Sequence, residues 1–472
     1  MTKQRPKLTM KVTKACFKIS WHPRVRQHRL PASYYRGGTS RAIIFSAQDL
    51  PQPIAPSISH PLWASIFRSC LGSPDPNGRQ LDGLGGGISS LSKVCVIGPA
   101  KGINKRRADV EYTFAAVGVK DDEVDYSSNC GNMTAAVGPW AWDHGFIVER
   151  QEIGKGKGKG ENGTEAVRNL NRIMNNFFNT NIGEGFTVHR QNRTWEGYSG
   201  QDGKKVVRIL NTNTGKIIRS TFEVRDGEAL VDGDMEIAGV AGKGAPIQLD
   251  FLDPAGSKTG KLLPTGNTVD IIEGVIVSCV DAGNPCVFVR AGDVDADGAI
   301  LPENFDGNMS LRARLDKIRR LAGVEMGLAR TTAEVPGSIP KICMVSKPET
   351  HHLLSGVELK REGFDLMARA VSVGQPHRAV PITVALCLAV AAKIRGTVVE
   401  GCLSGTAADE KGITIGHPSG KIVVGAKFSE QGEVHHATLF RTARRLFEGT
   451  VFWKVPEDDI YSEYLRNKSE KP

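Results

Sequence analysis

No acidic residue precedes Asp49, no Cys-x-x-Cys pair occurs anywhere, and no apolar run approaches membrane-spanning length. Each absence excludes something. The longest apolar stretch, 380–392, is about 13 residues even with Pro381 and Thr383 counted, and a spanning helix needs about 20. A membrane protein is not expected. The 9 cysteines are odd in number and widely spaced (Cys16, Cys70, Cys95, Cys130, Cys279, Cys286, Cys343, Cys387 and Cys402). That disfavours a disulfide framework and a zinc ribbon. Most of them sit in apolar runs and read as small core residues. The acid-free start carries eleven Lys/Arg within residues 1–48, so removing them takes the net charge from +10 to −1. The basic character belongs to one end, and the body offers no nucleic-acid surface. A basic, acid-free N-terminus is compatible with a mitochondrial transit peptide or a disordered extension. The expected location is therefore cytoplasmic or mitochondrial.

What is present is ordinary globular chemistry. The chain has 472 residues, 40% hydrophobic, 24% charged and 6% aromatic, with 53 Gly. Collagen, a disordered chain and a coiled coil are excluded. The length suggests two to four domains. Strand-like runs occur at 41–45, 94–97, 206–212, 216–224, 247–252 and 275–281, and helix-like runs at 61–71 and about 302–328. The stretch GKGKGKGENGT (154–164) is low complexity and reads as a surface loop.

An internal repeat organises these elements. SKVCVI (92–97) resembles PKICMV (340–345) at an offset of 248. Cys130 follows Lys93 by 37 residues and opens the apolar run TAAVGPWAWDHGF. His377 follows Lys341 by 36 and opens AVPITVALCLAVAA. Upstream, Gly37-Gly38-Thr39 aligns loosely with Ala282-Gly283-Asn284. Together these suggest two homologous domains, each placing strands before a buried helix.

The chemistry concentrates at Ser127-Ser128-Asn129-Cys130-Gly131-Asn132. Asn129, or alternatively Asn132, can cap the helix that follows. Cys130 then falls in its first turn, where free N–H groups and the helix dipole favour a thiolate and a bound carboxylate. Gly131 lets a ligand approach the backbone. The bland alternative is a buried cysteine beside a capping residue. Lys93 enters an apolar strand, which is costly unless the ammonium is paired or used; the alternative is a strand-end lysine reaching solvent. TGKLLPTGN (259–267) offers Lys, Thr, Gly and Asn donors that suit carboxylates, or is a surface turn. Arg36-Gly37-Gly38-Thr39-Ser40 is an anion nest or a turn, and His377-Arg378 can bind an anion at the second helix start.

Five segments carry a specific resemblance: RGGTSRAIIF (36–45), LDGLGGGISSLSKV (81–94), VDYSSNCGNMTAAVGP (124–139), GSKTGKLLPTGN (256–267) and GQPHRA (374–379). In order and spacing the chain resembles the PrpF family of 2-methylaconitate and aconitate isomerases, over roughly residues 33–455. That family is similar to diaminopimelate epimerase and proline racemase. The resemblance implies an α+β, diaminopimelate-epimerase-like fold: two pseudo-symmetric domains, each a β-barrel-like sheet around a central helix, with the active site between them. The expected division is a basic extension over 1–30, a first domain over 31–240, a second over 241–455, and a tail over 456–472 that can return to the first domain. The implied activity is an isomerase that moves a proton and a C=C bond in a small unsaturated di- or tricarboxylate such as aconitate, methylaconitate or methylitaconate. Neither metal nor organic cofactor is implied, and the expected partner is the small polycarboxylate alone, with no nucleic acid and no membrane; a homo-oligomer is left open.

Carried onto this chain, the resemblance implies Lys93 and Cys130 as the acid/base pair. It implies substrate contacts from Ser40, Asn129, Gly131, Asn132, Lys261, Thr265, Gly266, Asn267 and His377. Two departures stand out. Many relatives have Lys where this chain has Arg41, and epimerase-type relatives need a second Cys where this chain has His377. The second departure favours one-sided proton transfer over two-thiol stereoinversion. An epimerase or racemase of a small acid, and a non-catalytic aconitate-binding accessory protein, are the alternative readings.

Overall fold

A computed structural model describes residues 27–51, 62–147, 202–405, 407–410 and 412–454. The Lys/Gly stretch 154–164, Cys16 and the tail 456–472 lie outside the described residues. In the first half the strands are β1 (His28–Gly37), β2 (Ser40–Ser46), β3 (Lys93–Pro99), β4 (Val110–Val117), β5 (Gly203–Asn211) and β6 (Ile217–Arg225). Then come β7 (Ile247–Leu252), β8 (Val275–Asp281), β9 (Pro285–Arg290), β10 (Lys341–Ser346), β11 (Leu366–Ser372), β12 (Ile413–His417), β13 (Gly420–Phe428), β14 (Val434–Arg441) and β15 (Ala443–Trp453). The helices are α1 (Leu62–Leu71), α2 (Gly131–Asp143), α3 (Pro302–Gly307), α4 (Met309–Glu325) and α5 (Ile382–Ala391). Among the described residues no helix is long and apolar enough to cross a membrane.

Strand registers expose the repeat more clearly than the sequence does. In the first half β1/β2 are antiparallel, β2/β3 parallel, β3/β4 antiparallel, β4/β5 parallel and β5/β6 antiparallel. The second half runs through the same series with β8/β9, β9/β10, β10/β11, β11/β12 and β12/β13. Ile43 pairs Val94 in one half and Val287 pairs Ile342 in the other. The halves are joined by β7, which pairs β6 on one side and β14 on the other. The returning strand is β15, antiparallel to β1 along its whole length. β1 begins at His28, inside the stretch expected to be a basic extension, and His28 pairs Trp453.

The central helices follow from composition. The sequence ITVALCLAVA is apolar on every side, so it is stable only when surrounded, and all ten residues of α5 are buried. α2 is buried from Gly131 to Ala141. It touches β1, β2, β3, β5, β6, β7 and β15, so the first sheet wraps around it. β2 and β3 are apolar on both faces because both are covered. Ala42, Ile44, Cys95 and Ile97 face the α2 core, while Ile43, Phe45, Val94 and Val96 pack beneath α1. In the second half α4 covers the outer face, with Leu311, Leu315 and Ile318 against Val287, Val289 and Ile342. The helix expected over 302–328 is two helices. Gly307 has poor helix propensity, and the Asn308 side chain accepts the Leu311 N–H at 3.0 Å, capping α4 and ending α3.

Candidate functional site

Where the two halves meet, a solvent-open cavity, with about 570 Å³ of empty space counting its open mouth, is lined from both. Lys93, Cys130, Ser40, Asn129, Gly131, Asn132 and His377, all singled out in the sequence, line it. The first turns of α2 and α5 meet there, contributing Gly131 and Asn132 from one and Ile382 and Thr383 from the other. Helix first turns present unpaired N–H groups and the positive end of the dipole.

Lys93 opens β3, paired with Ala116, and is 8% exposed. Its ammonium lies 5.3 Å from the Phe114 ring centroid, a cation–π contact. The preceding segment is held by Gln80. Its side-chain oxygen accepts from Ser92 Oγ at 2.7 Å and from the Gly87 N–H at 2.9 Å. Cys130 is the N-cap residue of α2, extended at φ −103°, ψ 93°. It is half-buried, whereas the other seven described cysteines are buried. Burial pushes thiols such as Cys70 and Cys343 up to about 12, so those are inert core residues. Cys130 Sγ lies 4.0 Å from Ser40 Oγ.

Neither candidate asparagine caps the helix. Asn129 precedes the cap, and its polar groups are taken by the body of the protein. Its N–H donates to Asn284 Oδ1 at 3.1 Å, its carbonyl accepts from Asn284 Nδ2 at 3.0 Å, and its side-chain oxygen accepts from Asn211 Nδ2 at 3.3 Å. Asn132 donates to Thr39 Oγ1 at 3.1 Å and accepts from Arg441 Nε at 3.3 Å. The glycine-rich segment before it is the tight turn between β1 and β2. Gly38 has φ +49°, and a side chain there would collide with Asn132. Arg36 Nη1 donates to the Gly38 and Thr442 carbonyls, which ties the turn down, and Thr39 and Ser40 line the cavity. Gly131 lines the cavity and has a packing reason as well. The space its side chain would fill is occupied by Ile382 of the other half, 2.5 Å from an ideal Cβ.

His377 lies upstream of its helix, four positions before the N-cap Pro381, with its N–H on the Ala370 carbonyl at 2.9 Å. Burial, reinforced by Lys341 and Lys93, pushes its imidazole down to about 3. Among the protein's own groups it is a neutral ring at ordinary pH, with Nε2 buried and unpartnered, able to donate or accept a hydrogen bond.

Four expected contacts are elsewhere: Lys261, Thr265, Gly266 and Asn267 do not line the cavity. Their segment is folded onto two aspartates. Asp281 accepts from Ser257 Oγ, the Lys258 and Thr259 N–H groups and Thr259 Oγ1, each backbone bond at 2.8 Å. Asp270 accepts from Thr265 Oγ1 and Asn267 Nδ2, both at 2.8 Å. Lys261, Gly266 and Asn267 are left exposed at the turns. Thr265 Oγ1 and Asn267 Nδ2 are spent on Asp270, while Lys261 stands exposed outside the cavity.

Two residues that shape the site were not singled out in the sequence as site residues: Lys341, which lines the cavity, and Asn284, which stands behind the lining. Lys341 opens β10 as Lys93 opens β3, and it is 7% exposed. Asn284 clamps the loop ahead of Cys130 from the opposite half. The internal repeat held the signal for both, since it contains Lys341 and Asn284, but nothing local marks either as facing a cleft. The described lining has two lysines and no Asp or Glu. It can therefore hold an anion, stabilise charge developing on one, and offer a thiol and an amine for proton transfer.

The family model for PrpF protein matches residues 27–169 and 202–454. The 3-methylitaconate isomerase of Eubacterium barkeri is 36% identical over 90% of this chain and 97% of its own. The 2-methyl-aconitate isomerase of Shewanella oneidensis is 32% identical over 91% and 98%, and the 4-oxalomesaconate tautomerase of Pseudomonas putida 32% over 91% and 99%. The crystal structure of a methylitaconate-delta-isomerase superposes with a TM-score of 0.64 at 36% identity, covering 91% of this chain and 96% of that one.

Proposed function

The chain belongs to the PrpF family, and on that premise we propose that it is an isomerase that shifts a proton and a C=C bond within a small unsaturated di- or tricarboxylate of the methylitaconate, methylaconitate or aconitate kind. The observation that carries this reading is that Lys93 and Cys130 line one cavity with two converging helix N-termini. One group of the pair takes a proton from the carbon allylic to the double bond and γ to a carboxylate. The C–H electron pair becomes the new C=C bond, and the old π pair moves onto the carboxylate as a dienolate. The other group returns a proton to the α carbon. No electrons are gained or lost, and the double bond has moved by one carbon. The dienolate is held by the first-turn N–H groups and by the lysine charge, donors already in place before charge develops. His377, where epimerase-type relatives need a second cysteine, favours transfer at the Lys93/Cys130 side rather than inversion between two thiols.

The test is ¹H NMR in D₂O with cis-aconitate, methylaconitate and methylitaconate. Deuterium entering the allylic carbon as the double bond moves is the expected result. Lys93→Ala and Cys130→Ser should each lose about 10²- to 10⁴-fold in turnover with unchanged circular dichroism. Full turnover in both variants overturns the residue assignment. Label entering a stereocentre without bond migration, or no exchange in any of the three acids, overturns the isomerase reading.

A further inference from the structure

Lys341 is the pseudo-symmetric mate of Lys93. Each is the first residue of a strand that runs parallel to the second strand of its half, β3 beside β2 and β10 beside β9. Each is buried, and each lines the same cavity. Neither has a carboxylate within ion-pair distance among the described residues. The Lys341 ammonium has three N–H donors and makes one hydrogen bond, to the Ser338 carbonyl at 2.9 Å. Burial works against the charged form of Lys341, with positive Lys93 adding to it and Asp125, outside the lining, together with the Cys286 and Cys130 thiols, opposing it. Two ammonium groups that repel across one cleft, with no acid in the lining to separate them, are an expensive arrangement in an isolated protein. The cost is offset when an outside anion spans both.

We propose that Lys341 is a second carboxylate-binding residue, so that the site selects acids with at least two carboxylates, one held beside Lys93 and α2 and another beside Lys341 and α5. This rests on the isomerase reading for the identity of the reacting acid, but not for the binding itself. Lys341 takes no part in moving the proton. It anchors a carboxylate away from the reacting bond and excludes monoacids, which leave one buried ammonium uncompensated.

The experiment compares Lys341→Met, which keeps the length and removes the charge, with Lys341→Arg, which keeps the charge. Each is assayed on methylitaconate or aconitate and on the ester that masks the remote carboxylate, and each is titrated calorimetrically with tricarballylate, a saturated triacid that cannot isomerise. For Lys341→Met, KM for the polyacid and Kd for tricarballylate should rise about 10- to 100-fold, with kcat changed less than tenfold. The ester, a poor substrate of the parent, should be affected little, and Lys341→Arg should recover part of the tricarballylate affinity. Unchanged tricarballylate affinity in Lys341→Met, or equal losses for polyacid and ester, overturns the proposal. If the parent isomerises none of the acids, the isomerase reading fails while the tricarballylate arm still decides the role of Lys341.

Discussion

Gly131→Ala is the sharpest probe of how the two halves meet. An ideal Cβ on Gly131 would sit 2.5 Å from Ile382 Cγ2 and 2.6 Å from Ile382 Cβ. Carbon atoms in contact rest at about 3.5 Å, so one added methyl demands an opening of about 1 Å between the starts of α2 and α5. Ile382 is 1% exposed at the first position of a wholly buried helix, and it has no solvent to swing into. Overpacking of this kind costs about 1–3 kcal/mol. A displacement of about 1 Å at a site that depends on groups from both halves costs up to about 10²-fold in rate. Urea denaturation and turnover on the same preparation measure both. Ile382→Gly on its own should destabilise by leaving a cavity. The double variant moves the missing side chain from one helix to the other, so it should be more stable than the two single effects added together. Parent-like stability and turnover in Gly131→Ala, or strict additivity in the double variant, would refute the idea that glycine is there to admit Ile382.

Two further outcomes follow from carboxylates, one buried (Asp281) and one half-buried (Asp143). Asp281→Ala removes the acceptor for four donors of the 257–259 turn. It should cost on the order of 3 kcal/mol and make that turn the first site of limited proteolysis, while Lys261→Ala and Asn267→Ala leave KM within about twofold, as expected of exposed residues outside the cavity; a tenfold rise in KM for either would show that the segment reaches substrate. Asp143, at the C-terminal end of α2, is raised to about 6 by burial, against the opposing Ala229 N–H bond and Arg445. Because the folded state then holds its proton more tightly than the unfolded chain, this group's contribution to stability is lost as pH climbs from about 4 through 6. Asp143→Asn should therefore stabilise the protein by about 2 kcal/mol at pH 7.5, with the gain vanishing near pH 4. A gain independent of pH would refute it.

Local physics made much of this protein legible in its residues. Apolar runs marked the central helices and several strands, and the segments around Lys93 and Cys130, with three others, pointed to the family. The similarity of 92–97 to 340–345 announced the duplication. The asparagine cap was displaced by one residue because Asn129 is bound by Asn284 and Asn211, partners 155 and 82 positions away. The turn at 259–267 carries the residue types of an anion site; Asp270 takes Thr265 and Asn267 locally, and strand pairing brings Asp281 to Ser257, Lys258 and Thr259. The significance of Lys341 and Ile382 likewise emerges when two halves are folded against each other. A sequence records which side chains are apolar, charged or turn-forming, and these set elements whose energetics are settled within a few neighbours. Which donors are already satisfied, and which buried charges face one another unpaired, depends on contacts between residues hundreds apart, and that only the tertiary structure decided.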